Sequence, residues 1–418
     1  MSENLGKTTK MTWKERMNNI GPTAFVAAAG IGPGSVATLS VIGASYKYAL
    51  LWMLVFFFFF WIAQSDMVAR LSLGGGKTLQ EAIREDIANP VLRNITIWLI
   101  VISVFITCII YVYGSIMGVG MGLSFFFPNL QIGHMAAISG IVAIPIILAG
   151  NFRAIENLLK YLILGFTLSF LITILLTSPN IGEVLKGAFI PSVPTGAGPH
   201  MLSLTGTTMI TGYLFFVQST ALRERWSGPK DLYKARNDIY IMAPIMIGVS
   251  AMIMITAAAT LYGKEVDVTS ATVLGEQLVP LYGNKAKIAF AIGLFSAGFS
   301  SVIAAGMGPG VVIPSILGLD PGLKTTPFRV LVVINILAAS IMAFLGTRPV
   351  VLVMASQALG ALFLPIAAFV LLMLANNKKL MGKYTNSLLI NIVGILAVLF
   401  SLIMSFTSIG PMISSIFQ

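Results

Sequence analysis

The 418-residue chain is 57% hydrophobic, only 10% charged and carries a net charge of +11. An ordinary soluble domain holds about 25% charged residues, so this composition excludes a soluble enzyme. The Lys and Arg residues flank apolar runs and are not interleaved with solvent-facing aromatics, which fits charge held at one face of a membrane and excludes a nucleic-acid surface.

A helix crosses a bilayer with about 20 mainly apolar residues. By that measure the sequence predicts an all-α integral membrane protein with eleven spans, at 24–45, 49–72, 95–126, 132–149, 157–177, 200–223, 239–262, 286–317, 328–346, 350–375 and 387–410, after a tail at 1–20. The first span lacks the Leu-rich core and cleavage site of a signal peptide. It carries Gly32, Pro33 and Gly34 at mid-depth. Proline removes a helix hydrogen bond and glycine weakens the helix further, so two half-helices around an unwound joint are expected. Irregular backbone at that depth survives where it is buried or lines a wet cavity.

The second span holds Phe56 to Phe60 in a row, with Asp66 and Arg70 near its inner end. The third contains Cys108, the single cysteine, read as an inert core residue. Lys160 of the fifth span is expected to snorkel to the interface. After a loop at 178–199, the sixth span is polar at mid-depth through Thr207, Thr208, Thr211 and Gly212. Asp238 starts the seventh, Gly308, Pro309 and Gly310 suggest a kink in the eighth, and Ser356 and Gln357 place a buried amide in the tenth. The central thirds of the spans hold no ionisable residue.

Spans 1–5 (21–177) and 6–10 (200–375) form two five-span halves, and an odd number inverts the second half relative to the first. Each half opens with its weakest helix, the pattern of an inverted repeat that binds substrate between discontinuous helices 1 and 6. Residues 376–418 add the eleventh span. Placing the N-terminus in the cytoplasm puts 20 Lys and Arg inside, Arg70, Arg153 and Arg236 among them, and 6 outside, including Lys47, Lys186 and Arg348. The C-terminus then lies outside. His134 and His200 fall at span ends without a second ligand at metal spacing, and no nucleophile lies beside a base. No catalytic residue, metal site or cofactor is expected.

Several motifs resemble the NRAMP family of proton-coupled manganese and iron transporters along nearly the whole chain. They are Gly21-Pro22, the run Gly32-Pro33-Gly34-Ser35 where the family has Asp-Pro-Gly-Asn, and the run from Gly76-Lys77 through Glu81 to Arg84. Phe189 to Ser192 before span 6, and Ser356-Gln357 with Leu364-Pro365 in span 10, complete the set. The resemblance implies a LeuT-type 5+5 inverted repeat. It also implies where the chain departs from the family. The metal-binding Asp and Asn of span 1 are Gly32 and Ser35, the Met of span 6 is Thr211, and the following Pro-His is Gly212-Tyr213. The second histidine of span 6 falls at Gln218, and the acidic pair of span 3 falls near Val112 and Ser115. Only Gln357 survives among the side-chain ligands, so proton coupling by the family's route is not expected.

The expected substrate-binding set is Gly32, Gly34, Ser35, Val36, Thr211, Gly212, Tyr213 and Gln357. The helix start from Gly34 to Val36 offers N–H groups and partial positive charge, with hydroxyls and an amide around it and no carboxylate opposing it. The expectation is a secondary transporter in the cytoplasmic membrane that moves a small inorganic ion by alternating access, leaning to a small anion such as bicarbonate. A divalent metal ion, magnesium or manganese, is the alternative, and a transporter-like membrane sensor the third reading. Partners are the ion and the lipid bilayer, with no nucleic acid; the oligomeric state is left open, a monomer being compatible.

Overall fold

Two prolines set the first break. Pro22 opens α1 (Pro22–Gly30) and Pro33 opens α2 (Pro33–Tyr46), each in the first turn, where the missing N–H has no helical partner to lose. Between them Gly32 is extended, with φ −99 and ψ −178. The computed structural model describes residues 21–149, 153–264, 267, 270–345 and 349–417, and among these no strand occurs. The tail at 1–20 and Arg348 lie outside the described residues, as do the side chains of Arg153 and Lys160.

The chain continues with α3 (Leu51–Ala69), which runs on through a wide turn at Arg70–Gly74. Next come α4 (Leu79–Asp86), α5 (Pro90–Ser124), α6 (Ile132–Ala149), α7 (Arg153–Thr177) and α8 (Ile181–Phe189). After these come α9 (Gly198–Thr208) and α10 (Gly212–Arg225), separated by extended backbone at Met209 and Thr211. Then follow α11 (Leu232–Leu261), α12 (Ala286–Ile316), α13 (Thr326–Leu345), α14 (Pro349–Ala375) and α15 (Leu388–Phe417).

Among the described residues eight helical segments are long and apolar enough to cross a membrane, beginning at Leu51, Pro90, Ile132, Pro229, Ala271, Thr326, Pro349 and Leu388. The other three expected spans coincide with the broken pair α1/α2, with α7, and with the broken pair α9/α10. The third span starts earlier than expected, at Pro90, because Asn89 caps it by accepting the Val91 and Leu92 amides. The expected kink at Gly308–Gly310 does not end the helix: α12 runs through Pro309 and Pro314. The loop at 178–199 is not a bare connector, since it carries α8, which packs on α3.

The phenylalanine run shows how the lipid face and the core divide. Phe57 and Phe60 are buried and pack on Phe400 of α15, while Phe56 and Phe59 are exposed with the other large apolar side chains of the rim. That exposure is what a bilayer, as opposed to water, accepts. Inside the bundle α5 lies along α12, α2 along α11, and α9 along α14. Gly118 of α5 lets that helix meet the first break closely: a Cβ there would lie 2.1 Å from Pro33 Cβ.

The polar residues flagged near the inner ends find partners. Asp66 accepts Arg70 Nε and Arg236 Nε, each at 2.7 Å. Arg70 also donates to Tyr384 O and Asn386 Oδ1, both at 2.7 Å. One buried carboxylate thus ties α3 to α11, and its arginine ties both to the connection between α14 and α15.

Candidate functional site

Four helix ends meet in the middle of the bundle. The C-terminal ends of α1 and α9 bring carbonyls, and the N-terminal ends of α2 and α10 bring N–H groups, each with the partial charge of its helix dipole. The pocket between them is lined by Gly30, Gly32, Pro33, Gly34, Ser35, Thr207, Met209, Thr211, Tyr213, Leu214 and Gln357, and by residues of α5 and α12. None of the lining residues is a carboxylate, histidine, lysine or arginine. Among the described residues no group of three His, Cys, Asp or Glu is placed to hold a metal ion.

The carbonyl side is partly occupied by the protein's own hydroxyls. Ser35 Oγ turns back across the break and donates to Gly30 O, and Thr207 Oγ1 donates to Ser35 Oγ at 2.6 Å. Tyr111 OH of α5 donates to Gly206 O at 2.6 Å. On the donor side the buried Ser301 Oγ has no hydrogen-bond partner, and the buried Thr211 hydroxyl is shared with Tyr213. An unpaired polar group buried this way costs free energy, about 1–3 kcal/mol, unless something else fills its valence.

Gln357 is seated by two glycines. A Cβ on Gly34 would lie 2.0 Å from its Nε2, and a Cβ on Gly206 would lie 1.9 Å from its backbone oxygen. The amide therefore lies over the first turn of α2 while the α14 backbone presses on α9. Tyr213 closes the wall beside Cys108, which is fully buried: a Cβ on Gly308 would lie 2.8 Å from Cys108 Sγ and 3.1 Å from Tyr213 Cδ2.

Of the eight residues expected at the site, the fold brings six to the pocket: Gly32, Gly34, Ser35, Thr211, Tyr213 and Gln357. Val36 and Gly212 lie outside the lining. The Val36 amide is not free, because it closes the first turn of α2 on Gly32 O at 3.1 Å. Gly212 faces α14, where a Cβ would lie 3.0 Å from Ala367 Cβ. Ser35 faces the pocket, but its proton is committed to Gly30 O. Tyr111 and Ser301 join the lining without having been singled out in the sequence. Tyr111 and Ser115 are spaced for one helix face, and that spacing was the available signal; a serine inside the apolar run of α12 carried almost none.

Each end of the bundle carries a tie between helices far apart in the chain. At one end Asp238 of α11 accepts the Gly21 and Thr23 amides at 3.0 and 2.8 Å. At the other, Gln277 Nε2 donates to Ser40 Oγ at 2.9 Å, and Tyr46 OH meets His200 Nδ1 at 3.1 Å.

The family model described as natural resistance-associated macrophage protein-like (Nramp) matches residues 23–410. Among solved structures, a variant of the Eremococcus coleocola manganese transporter is 21% identical with a TM-score of 0.77, covering 98% of this chain and 90% of that one. The same transporter in complex with an aromatic bis-isothiourea compound is 22% identical with a TM-score of 0.77, covering 97% and 88%. Mhp1, a nucleobase-cation-symport-1 family transporter in a closed conformation with bromovinylhydantoin bound, is 14% identical with a TM-score of 0.52, covering 95% and 93%. At these identities the likeness is one of fold, a LeuT-type membrane architecture.

Proposed function

The chain belongs to the natural resistance-associated macrophage protein-like family, and from that premise we propose that it is a secondary transporter that carries a small inorganic ion by alternating access. The proposal includes eleven crossings in a 5+5+1 order, an N-terminus in the cytoplasm, and cargo held between the two broken helices. The observation that carries it is the meeting of four half-helix ends at a buried pocket roofed by Gln357.

Two cargoes have support. The names of the similar structures back a divalent metal ion better than an anion, since the Eremococcus coleocola protein is a manganese transporter. Gln357 offers that ion one amide oxygen. The chemistry of this pocket backs a small anion such as bicarbonate. A dication prefers carboxylate, carbonyl and water oxygens. Here no lining side chain is acidic, and Gly30 O and Gly206 O already accept protein hydroxyls. The unpaired Ser301 hydroxyl, the Thr211 hydroxyl and two helix N-termini remain on the donor side. The same lining holds no group that titrates near neutral pH, which supports transport without the family's proton route.

Uptake of labelled bicarbonate, manganese and magnesium by purified protein in liposomes tests both readings. Saturable bicarbonate uptake that Gly32→Asp abolishes supports the anion. Saturable metal uptake with no bicarbonate uptake supports the metal. No uptake of any of the three removes both cargo readings.

A further inference from the structure

Ser301 is one of several buried hydroxyls of this bundle, with Thr38, Ser65, Thr107, Thr208 and Ser340, that make no hydrogen bond, and of these it is the one that lines the pocket. Serines and threonines buried in the bundle's helices usually turn back onto their own backbone. Ser115 donates to Tyr111 O, Ser203 to Pro199 O, Ser250 to Met246 O, and Ser296, one turn earlier on the same α12, to Ile292 O at 2.7 Å. That local bond is the default for a hydroxyl with no water to meet. Ser301 is 5% exposed, makes no hydrogen bond, and lines the pocket. What holds it there is the missing side chain opposite. A Cβ on Gly32 would lie 2.7 Å from Ser301 Oγ but 3.4 Å from Ser301 Cβ, so the hydroxyl, and only the hydroxyl, occupies the room that a side chain at position 32 would need.

We propose that Ser301 is a cargo-contacting residue whose hydroxyl donates to a small oxyanion held at the N-terminal ends of α2 and α10, and that Gly32 is required to leave that hydroxyl its place. The inference rests on the anion reading above and adds α12 to the cargo contacts expected from the two broken helices and α14. The Thr211 hydroxyl, 7% exposed and shared with Tyr213, is the second hydroxyl donor. With the Gln357 amide, these groups reach the cargo from three directions, which suits a planar anion with several acceptor oxygens.

The experiment compares wild type, Ser301→Ala, Ser301→Thr, Gly32→Ala and the Gly32→Ala/Ser301→Ala pair, using labelled bicarbonate and manganese uptake in liposomes together with thermal unfolding. Ser301→Ala is expected to raise the KM for bicarbonate about tenfold, the loss of one hydrogen bond to a charged group. Its unfolding temperature should stay equal or rise, because an unpaired buried hydroxyl has been removed. Ser301→Thr keeps the hydroxyl and should hold the KM within about threefold. Gly32→Ala should raise the KM alone but add almost nothing in the Ser301→Ala background, where the close atom is gone. Wild-type bicarbonate uptake with an unchanged KM in Ser301→Ala overturns the role of Ser301 and leaves the anion reading standing. A lowered unfolding temperature with unchanged KM assigns Ser301 to packing and overturns it too. Wild type that takes up manganese and no bicarbonate overturns the anion reading, and this inference with it.

Discussion

The Asp238 carboxylate on α11 accepts the Gly21 amide with one oxygen and the Thr23 amide with the other, at 3.0 and 2.8 Å, across more than two hundred positions of chain. It caps the start of α1 from another helix. Negative charge at a helix N-terminus is favourable, and the two amides have no partner within α1. The latch fixes the half-helix that must move if the pocket is to open at that end. Hydrogen bonds to a charged group are worth about 1.5–3 kcal/mol each. Asp238→Ala is therefore expected to release α1, and the labelling rate of a cysteine placed at Ala27 in a Cys108→Ser background should rise at least about tenfold. An unchanged rate counts against the latch.

The Asp66, Arg70 and Arg236 cluster is structural on its geometry. The Asp66 and Arg70 side chains are 6% and 5% exposed. Removing one partner of a buried pair strands the other charge and costs about 3–5 kcal/mol. Asp66→Ala is expected to lower the unfolding temperature in detergent by several degrees. Lys287→Ala, which breaks the half-exposed pair with Glu276, should change it little, since such pairs contribute about 0–1 kcal/mol. Equal effects of the two substitutions contradict this assignment.

Two glycines against Gln357 should fail in different ways. A methyl on Gly34 meets the end of a flexible side chain, whereas a methyl on Gly206 meets backbone oxygen at 1.9 Å. Gly34→Ala is expected to fold, with the amide displaced and the KM for cargo raised about tenfold or more. Gly206→Ala has no way to relax except by parting α9 from α14, and should lose yield and thermal stability. Size-exclusion profiles and unfolding curves separate the two; wild-type stability in Gly206→Ala refutes the close contact.

Tyr111 bears on ion selectivity. Its hydroxyl occupies Gly206 O at 2.6 Å, so Tyr111→Phe frees a carbonyl at the mouth of α9 and costs about 0.5–1.5 kcal/mol. On the anion reading, bicarbonate uptake in Tyr111→Phe should weaken severalfold while manganese competes better than in wild type. A manganese competition curve identical to that of wild type argues against occupied carbonyls as the selectivity device.

The first break was legible because its cause is local: Gly32, Pro33 and Gly34 disfavour helix wherever they stand. The second was legible more weakly, since Thr207, Thr208 and Gly212 permit a break without forcing it; extended backbone at Met209 and Thr211 completes it. Gln357 stood out as a lone amide in an apolar run. An N-terminal position in a helix does not say which amides remain free, and at Val36 its own turn takes the amide at Gly32 O.

Composition alone, with long apolar stretches, settled that this chain lives in a membrane, because hydrocarbon admits only sequences that satisfy their backbone internally. The same local chemistry placed the two breaks. Which hydroxyls stay free was decided only when distant helices packed. Ser35 and Ser301 are the same side chain in sequence, yet one spends its proton on Gly30 O and the other, held off its own helix opposite a glycine, keeps it. A hydrogen bond depends on what lies within about 3 Å, and for these two residues those neighbours lie across the break between α1 and α2 or on another helix.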